Sequence, residues 1–184
     1  MKMSLQLGVY WVLLVSCSQI VLAQNSEPAD PCGDPAIESQ TWGFVRGRVI
    51  KVEDGDTVIL SIEGSGLRSV RLIGIDAPER GQSFAKAARL LLESLVRGKV
   101  VDVWVNDSKW SRRHKRREIP AQMAGVVYLR SVDMLDVSLV MVQSGMARHK
   151  ETEPYSMSNH TECHYVKAES EARASRRGLW RRAR

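Results

Sequence analysis

The chain has 184 residues, 43% of them hydrophobic and 26% charged, with three cysteines and a formal net charge of +6. That length holds one domain with a full core plus a short targeting segment, and the composition excludes a disordered or fibrous chain. The positive balance favours a polyanionic partner, nucleic acid or an anionic membrane surface, without choosing between them.

At the N-terminus, Lys2 precedes the apolar run Leu5 to Val15, and Val21 and Ala23 stand where a signal peptidase reads. The run is shorter than the roughly 20 residues a membrane-spanning helix needs. Residues 1–23 therefore read as a signal peptide, which makes the mature chain exported, periplasmic or secreted, with no integral membrane span. A second route stays open, because Leu14-Val15-Ser16-Cys17 resembles a lipoprotein box in which Cys17 would carry a lipid anchor. Both routes leave Cys32 and Cys163 in an oxidising compartment, where they either pair, tying the N-terminal arm to the last helix, or stay as two thiols.

Residues 24–41 are rich in Pro, Asp, Ser and Gly without apolar periodicity, the pattern of a linker or arm. The folded domain is expected over 42–180, followed by a basic tail at 181–184. Phe44 to Val52 and Thr57 to Ile62 are β-rich runs flanking Asp54-Gly55-Asp56, a hairpin signal if the glycine takes the positive φ of a tight turn. Ser69 to Ile75 continues as a third strand. Ser83 to Arg97 predicts a helix whose apolar stripe is Phe84, Ala88, Leu91, Leu92 and Leu95, stopped by Gly98. Val100 to Val105 and Ala124 to Leu129 predict two more strands. Leu135 to Gln143 predicts a helix ended by Ser144-Gly145, and Cys163 to Arg176 a third, ended by Gly178. Five short strands with a helix after the third suit an α+β chain: a five-stranded OB-fold β-barrel with about three packed helices.

Two segments carry chemistry: Asp54-Gly55-Asp56-Thr57, and Arg71-Leu-Ile-Gly-Ile-Asp76-Ala77-Pro78-Glu79. Hydrolysing a phosphodiester at neutral pH requires offsetting the charge on the phosphorus oxygens, aiming a water in line and accepting its proton. Asp56 and Asp76 are hard oxygen ligands suited to Ca²⁺ or Mg²⁺. The planar fork of Arg71 matches phosphate oxygens, and Glu79 is a candidate general base. Taken singly, each has a plain alternative, a hairpin turn or a solvated charge. Together, at this spacing, they are far more specific.

These two segments resemble the first motif of the thermonuclease (staphylococcal nuclease-like) family. Gly125-Val126-Val127-Tyr128, Gly145-Met146-Ala147 and Arg177-Gly178-Leu179-Trp180 also resemble that family, over about residues 43–180. The resemblance implies an OB-fold, Ca²⁺-dependent nuclease acting on DNA, RNA or both. By that comparison Asp56, Asp76 and the backbone carbonyl of Ala77 would bind Ca²⁺. Glu79 would activate the attacking water, Arg71 would hold the scissile phosphate, and the 5′ oxygen would leave.

The family's second motif supplies another arginine just before the Gly-Val-Val-Tyr-like strand, and an ungapped alignment puts Gln122 in its place. Glutamine donates a hydrogen bond but offsets no charge. An alternative reading follows, a nucleic-acid-binding OB module with weak or no catalysis. Upstream, Arg112, Arg113, Arg116 and Arg117 sit in a basic segment expected to strengthen nucleic-acid binding, and either Arg116 or Arg117 could stand in for the missing arginine. Tyr155 falls where relatives carry an aromatic near the substrate cleft. His160, Cys163 and His164 are spaced for a transition metal but lack a clear fourth ligand, and read instead as a surface helix. A monomer is expected.

Overall fold

A computed structural model describes residues 30–33, 43–105, 122–130, 134–151 and 158–181. Cys32–Arg184 forms one compact unit, and Met1–Pro31 another of which only residues 30 and 31 are described. The expected signal peptide, most of the arm, and the basic segment with Arg112, Arg113, Arg116 and Arg117 lie outside the described residues, as does Tyr155.

Alternation of buried and exposed residues, broken once by a bulge, builds the first wall of the barrel. In β1 (Gly43–Val52), Val45, Val49 and Val52 are buried while Phe44, Arg46, Arg48 and Ile50 face out. A bulge between Val49 and Lys51 shifts the register against the next strand, which bends and twists β1 around the barrel. β2 (Thr57–Ile62) and β3 (Gly66–Leu72) continue the antiparallel ladder on one side of β1, and β5 (Val100–Val105) and β6 (Gln122–Leu129) extend it on the other. A parallel pairing of β3 with β6, from Ser69↔Gln122 to Leu72↔Gly125, closes the sheet. The result is a closed, mixed five-strand barrel filled mainly by valines and leucines, as the α+β OB-fold reading expected.

The third strand does not run through to Ile75. It breaks at Ile73-Gly74, and Ile75–Asp76 forms a separate short strand, β4, antiparallel to β8 (Arg148–His149). Helix α1 (Ala85–Val96) buries Ala88, Leu92 and Val96. Phe84 is not on that stripe: it precedes the helix in a left-handed conformation with φ of 67°. Helix α2 (Val137–Gln143) follows β7 (Leu135–Asp136), a two-residue strand on Tyr128–Leu129. Asp136 caps α2 by accepting from the Leu139 N–H at 3.1 Å. Helix α3 (Asn159–Ala174) starts four residues earlier than Cys163, because the Ser158 hydroxyl caps it by accepting from Thr161 N–H.

Tyr165 is the largest fully buried side chain, and its hydroxyl donates to Asp136 at 2.7 Å, fastening α3 to α2. Burial, with the charge of Asp136 behind it, pushes the neighbouring Tyr128 phenol up to about 12. Cys32 and Cys163 are bonded, with Cα atoms 5.7 Å apart, and close a sequence separation of 131 residues. At the chain's end, Gly178 packs so closely on Gly145 that a Cβ on either would lie 2.4 Å or less from backbone of the facing segment, and Leu179 N–H donates to the Gly145 carbonyl. The Trp180 ring lies under the guanidinium groups of Arg173 and Arg148, 4.2 and 5.4 Å from its centroid.

Candidate active site

The turn between β1 and β2 is built around close packing. A Cβ on Gly55 would lie 2.6 Å from the Cβ of Ala77 and 2.9 Å from that of Ala88. Gly55 is not among the residues with positive φ. The hairpin rationale is thus corrected: this glycine is needed for the approach of two other segments, and not for a left-handed turn. That approach brings the turn, the loop after β4 and helix α1 to one point.

Asp56, at the end of the turn, is 3% exposed. One carboxylate oxygen accepts from Arg71 at 3.1 Å and from the Ala77 N–H at 3.3 Å, and the other accepts from the Thr57 hydroxyl at 3.0 Å. Its backbone carbonyl accepts from Leu72 N–H at 2.8 Å, so the turn is stitched to β3. The Asp56 carboxyl nonetheless titrates above the usual carboxylate range. Burial raises it most and the nearby Asp54 adds to the rise, against the pull of Arg71, the Ala77 N–H and Thr57.

Arg71 lies next to Asp56 because β2 and β3 pair Thr57 with Arg71. Its guanidinium also reaches Asp76 on β4, at 3.5 Å, so one arginine spans two carboxylates from different strands. Asp76 is half exposed, and Lys150 approaches the same oxygen at 3.4 Å. Ala77 contributes a buried backbone whose N–H faces Asp56. Glu79, three residues past Asp76, is exposed. Its backbone is braced by Gln82, whose side-chain oxygen accepts from Glu79 N–H and whose own N–H donates to the Glu79 carbonyl, both at 2.9 Å.

The five residues expected at the site, Asp56, Arg71, Asp76, Ala77 and Glu79, thus fall on one stretch from the first turn to the loop after β4. Gln122 pairs with Ser69 at the start of β6 and shares the outward face of the barrel with Arg71, two residues along β3. It is exposed, so the position is open to a ligand but carries no charge.

A family model described as "Staphylococcal nuclease homologue" matches residues 69–182. That match includes Arg71, Asp76, Glu79 and Gln122, and begins after Asp56. A protein of Shigella flexneri named "Micrococcal nuclease" is 32% identical over 145 residues, 78% of this chain and 78% of that one. An "Uncharacterized endonuclease" of Escherichia coli O157:H7 is 33% identical over 136 residues, covering 74% of this chain and 77% of its own. "Protein ParB" of Escherichia coli is 31% identical over 149 residues, covering 78% and 77%.

The chain belongs to the staphylococcal nuclease family. With the family comes its class of chemistry, hydrolysis of nucleic-acid phosphodiesters by a metal-dependent nuclease. The donor chemistry of this site fits a hard divalent cation: two carboxylates lie close enough to share one arginine, and burial raises the titration of the more enclosed one.

Outside that site, His160 and His164 face each other on α3 with ring nitrogens 3.2 Å apart. Cys163 between them is committed to its disulfide and offers no thiolate, which removes it from any metal set. Sequence reasoning missed Lys150 and the group that positions it. His149, 9% exposed by side chain, has its two ring nitrogens 3.1 Å from the Gly74 carbonyl and 2.5 Å from Glu162. No local pattern announces that pairing, since residues 74, 149 and 162 meet only through the fold. The Gln82 brace was missed as well, although a polar residue three positions past Glu79, at the spacing of a turn, was a signal for it.

Proposed function

We propose that the mature chain is an exported, Ca²⁺-dependent phosphodiesterase that cleaves DNA, RNA or both. The observation that carries this reading is the single Arg71 guanidinium set between Asp56 and Asp76 at 3.1 and 3.5 Å. A protein that only bound a polyanion would gain nothing by facing it with carboxylates. Asp56, Asp76 and the backbone carbonyl of Ala77 would hold the cation, whose charge would offset that of the phosphate oxygens as they gain it. Arg71, 41% exposed by side chain, is accessible to a phosphate and can grip two of its oxygens with its fork. Glu79 accepts a proton from the water that attacks phosphorus in line, and the 5′ oxygen leaves, which yields 3′-phosphate ends. The Gln82 brace keeps that base from swinging with its loop.

Export is supported by the charged, apolar and small-residue sequence of positions 1–23 and by the Cys32–Cys163 bond, since such bonds persist in oxidising compartments. No helix among the described residues is long and apolar enough to cross a membrane. The mature chain is proposed to act as a monomer, and lipid attachment at Cys17 is the alternative to cleavage after Ala23.

One observation favours a second reading, a binding module with little turnover: Gln122 stands uncharged on the face that holds Arg71. Mature protein incubated with single-stranded DNA in Ca²⁺, in chelator, and beside a Glu79→Ala variant separates the two. The nuclease reading expects cleavage in Ca²⁺ alone, with ends that resist polymerase extension until a phosphatase removes the 3′-phosphate. Cleavage that survives Glu79→Ala or the chelator sinks it. Salt-sensitive binding without cleavage establishes the module instead.

A further inference from the structure

We propose that Lys150 supplies the second positive charge on the scissile phosphate, the charge that Gln122 does not provide. The inference rests on the nuclease reading and assigns a residue to it. Among the described residues, the Asp76 carboxylate is shared by two cations on one oxygen, Arg71 at 3.5 Å and Lys150 at 3.4 Å. Both cations therefore converge on the place where the phosphate would sit. Lys150 is 61% exposed by side chain, so its ammonium is accessible, and Asp76 is its partner at the long end of an ion pair.

The backbone beneath Lys150 is fastened by several hydrogen bonds. Its N–H donates to the Gly74 carbonyl at 3.0 Å. The residue before it, His149, is tied to the same carbonyl, to Glu162, and through its own N–H to Glu169 at 3.3 Å. The pairing of β4 with β8 fixes Ile75 opposite His149 and Asp76 opposite Arg148. Three elements thus hold the Lys150 backbone against Gly74, two residues before Asp76, leaving only the flexible four-carbon stem to reach the carboxylate.

The electrostatics favour a handover. Without a divalent ion, Lys150 and Arg71 both help to neutralise Asp76. Once the carboxylates are committed to a cation, both side chains face a site with less negative charge to match, and an anionic phosphate restores the balance. Arg148, opposite Asp76 in the β4–β8 pairing, lies over the Trp180 ring. Lysine is a compact point charge, so it can replace the charge of the missing arginine but not its two-pronged grip.

The test uses the full mature chain with single-stranded DNA, and four forms: parent, Lys150→Met, Lys150→Arg, and Lys150→Met with Gln122→Arg. The expectation is a fall in kcat of about 10²-fold for Lys150→Met, the usual loss for one transition-state donor. Lys150→Arg keeps kcat within about tenfold of the parent, and adding Gln122→Arg to Lys150→Met recovers at least about tenfold. Independently of turnover, binding of a fluorescent oligonucleotide is followed against salt in Ca²⁺, with every form carrying Glu79→Ala. Loss of one phosphate contact lowers the slope of log affinity against log salt by about 0.7.

An unchanged slope for Lys150→Met overturns the proposal whatever the parent does. A lowered slope with kcat within twofold of the parent also overturns it, by placing Lys150 on a flanking phosphate. If the parent does not cleave but the slope falls, the nuclease reading fails while the phosphate contact stands. If the parent neither cleaves nor binds, both are overturned.

Discussion

In Asp56, the proposed metal-binding role works against the stability of the fold. Its carboxyl titrates above the ordinary range because burial outweighs the help of Arg71, Ala77 N–H and Thr57. The folded state therefore holds the proton longer than the unfolded chain does. As pH rises from the ordinary aspartate value through the raised one, the unfolded state ionises first, and folding stability contributed by this group falls. At neutral pH its charge is a net cost to the fold. Asp56→Asn is accordingly expected to raise the thermal midpoint in chelator at pH 7, and to abolish the further rise that Ca²⁺ gives the parent by binding the folded state. Calorimetry of both proteins with and without Ca²⁺ checks this, and a parent midpoint indifferent to Ca²⁺ would remove Asp56 from the metal role. The residue types themselves were legible in the sequence, since carboxylate, arginine and carboxylate at this spacing have few other uses. The sharing of Asp76 with Lys150 was not, because 74 positions separate them and only β4–β8 pairing joins them.

At the scale of elements, the first turn works as a packing joint. The Gly55 site has room for a hydrogen and nothing larger, with Ala77 Cβ and Ala88 Cβ on either hand. Gly55→Ala would push the turn away from α1 and from the Asp76 loop, moving Asp56 relative to Arg71. Overpacking of this kind costs about 1–3 kcal/mol, and displacement of about 1 Å costs roughly 10²-fold in rate. Denaturant unfolding and kcat measured on the same variant check both numbers. A stable variant with full activity would show that the three segments do not need this approach. The strands and α1 were readable from alternation and the 3.6-residue stripe, to within a residue or two at several ends. The break at Ile73-Gly74 was not, since Ser69 to Ile75 alternates well enough for one strand and the short β4 exists only because β8 lies beside it. The early start of α3 was hidden in a polar stretch where only Ser158 marks the cap.

For the whole molecule, barrel closure and the disulfide matter most. The Cys32–Cys163 bond closes 131 residues of sequence, a loop long enough for the chain-entropy account to assign it about 4–5 kcal/mol. Reduction, or a Cys32→Ser with Cys163→Ser variant, is expected to lower stability by about 2–4 kcal/mol, the usual observed range. Neither cysteine touches Arg71 or the carboxylates among the hydrogen bonds and ion pairs of the site. Cleavage at 25 °C should therefore survive reduction while the unfolding midpoint falls. Chemical unfolding with and without reductant, alongside the cleavage assay, reads both. Loss of activity without loss of stability would tie the arm to the site. Closure of the barrel through β3 and β6 has another consequence, since it puts Gln122 and Arg71 on one face and so brings the uncharged position into the proposed active site.

By itself, the sequence determined the five barrel strands, the helix after the third and the carboxylate and arginine set, because each of these is written in local spacing, and its motifs carried the resemblance to the family. Residue type and period act over a few positions, and a single chain displays them directly. Tertiary structure decided which face each group shares: the Asp56–Arg71–Asp76 cluster, the reason for Gly55, the Cys32–Cys163 pairing and the placing of Lys150. Those depend on contacts between segments far apart in sequence, and their energy exists only once the barrel has closed.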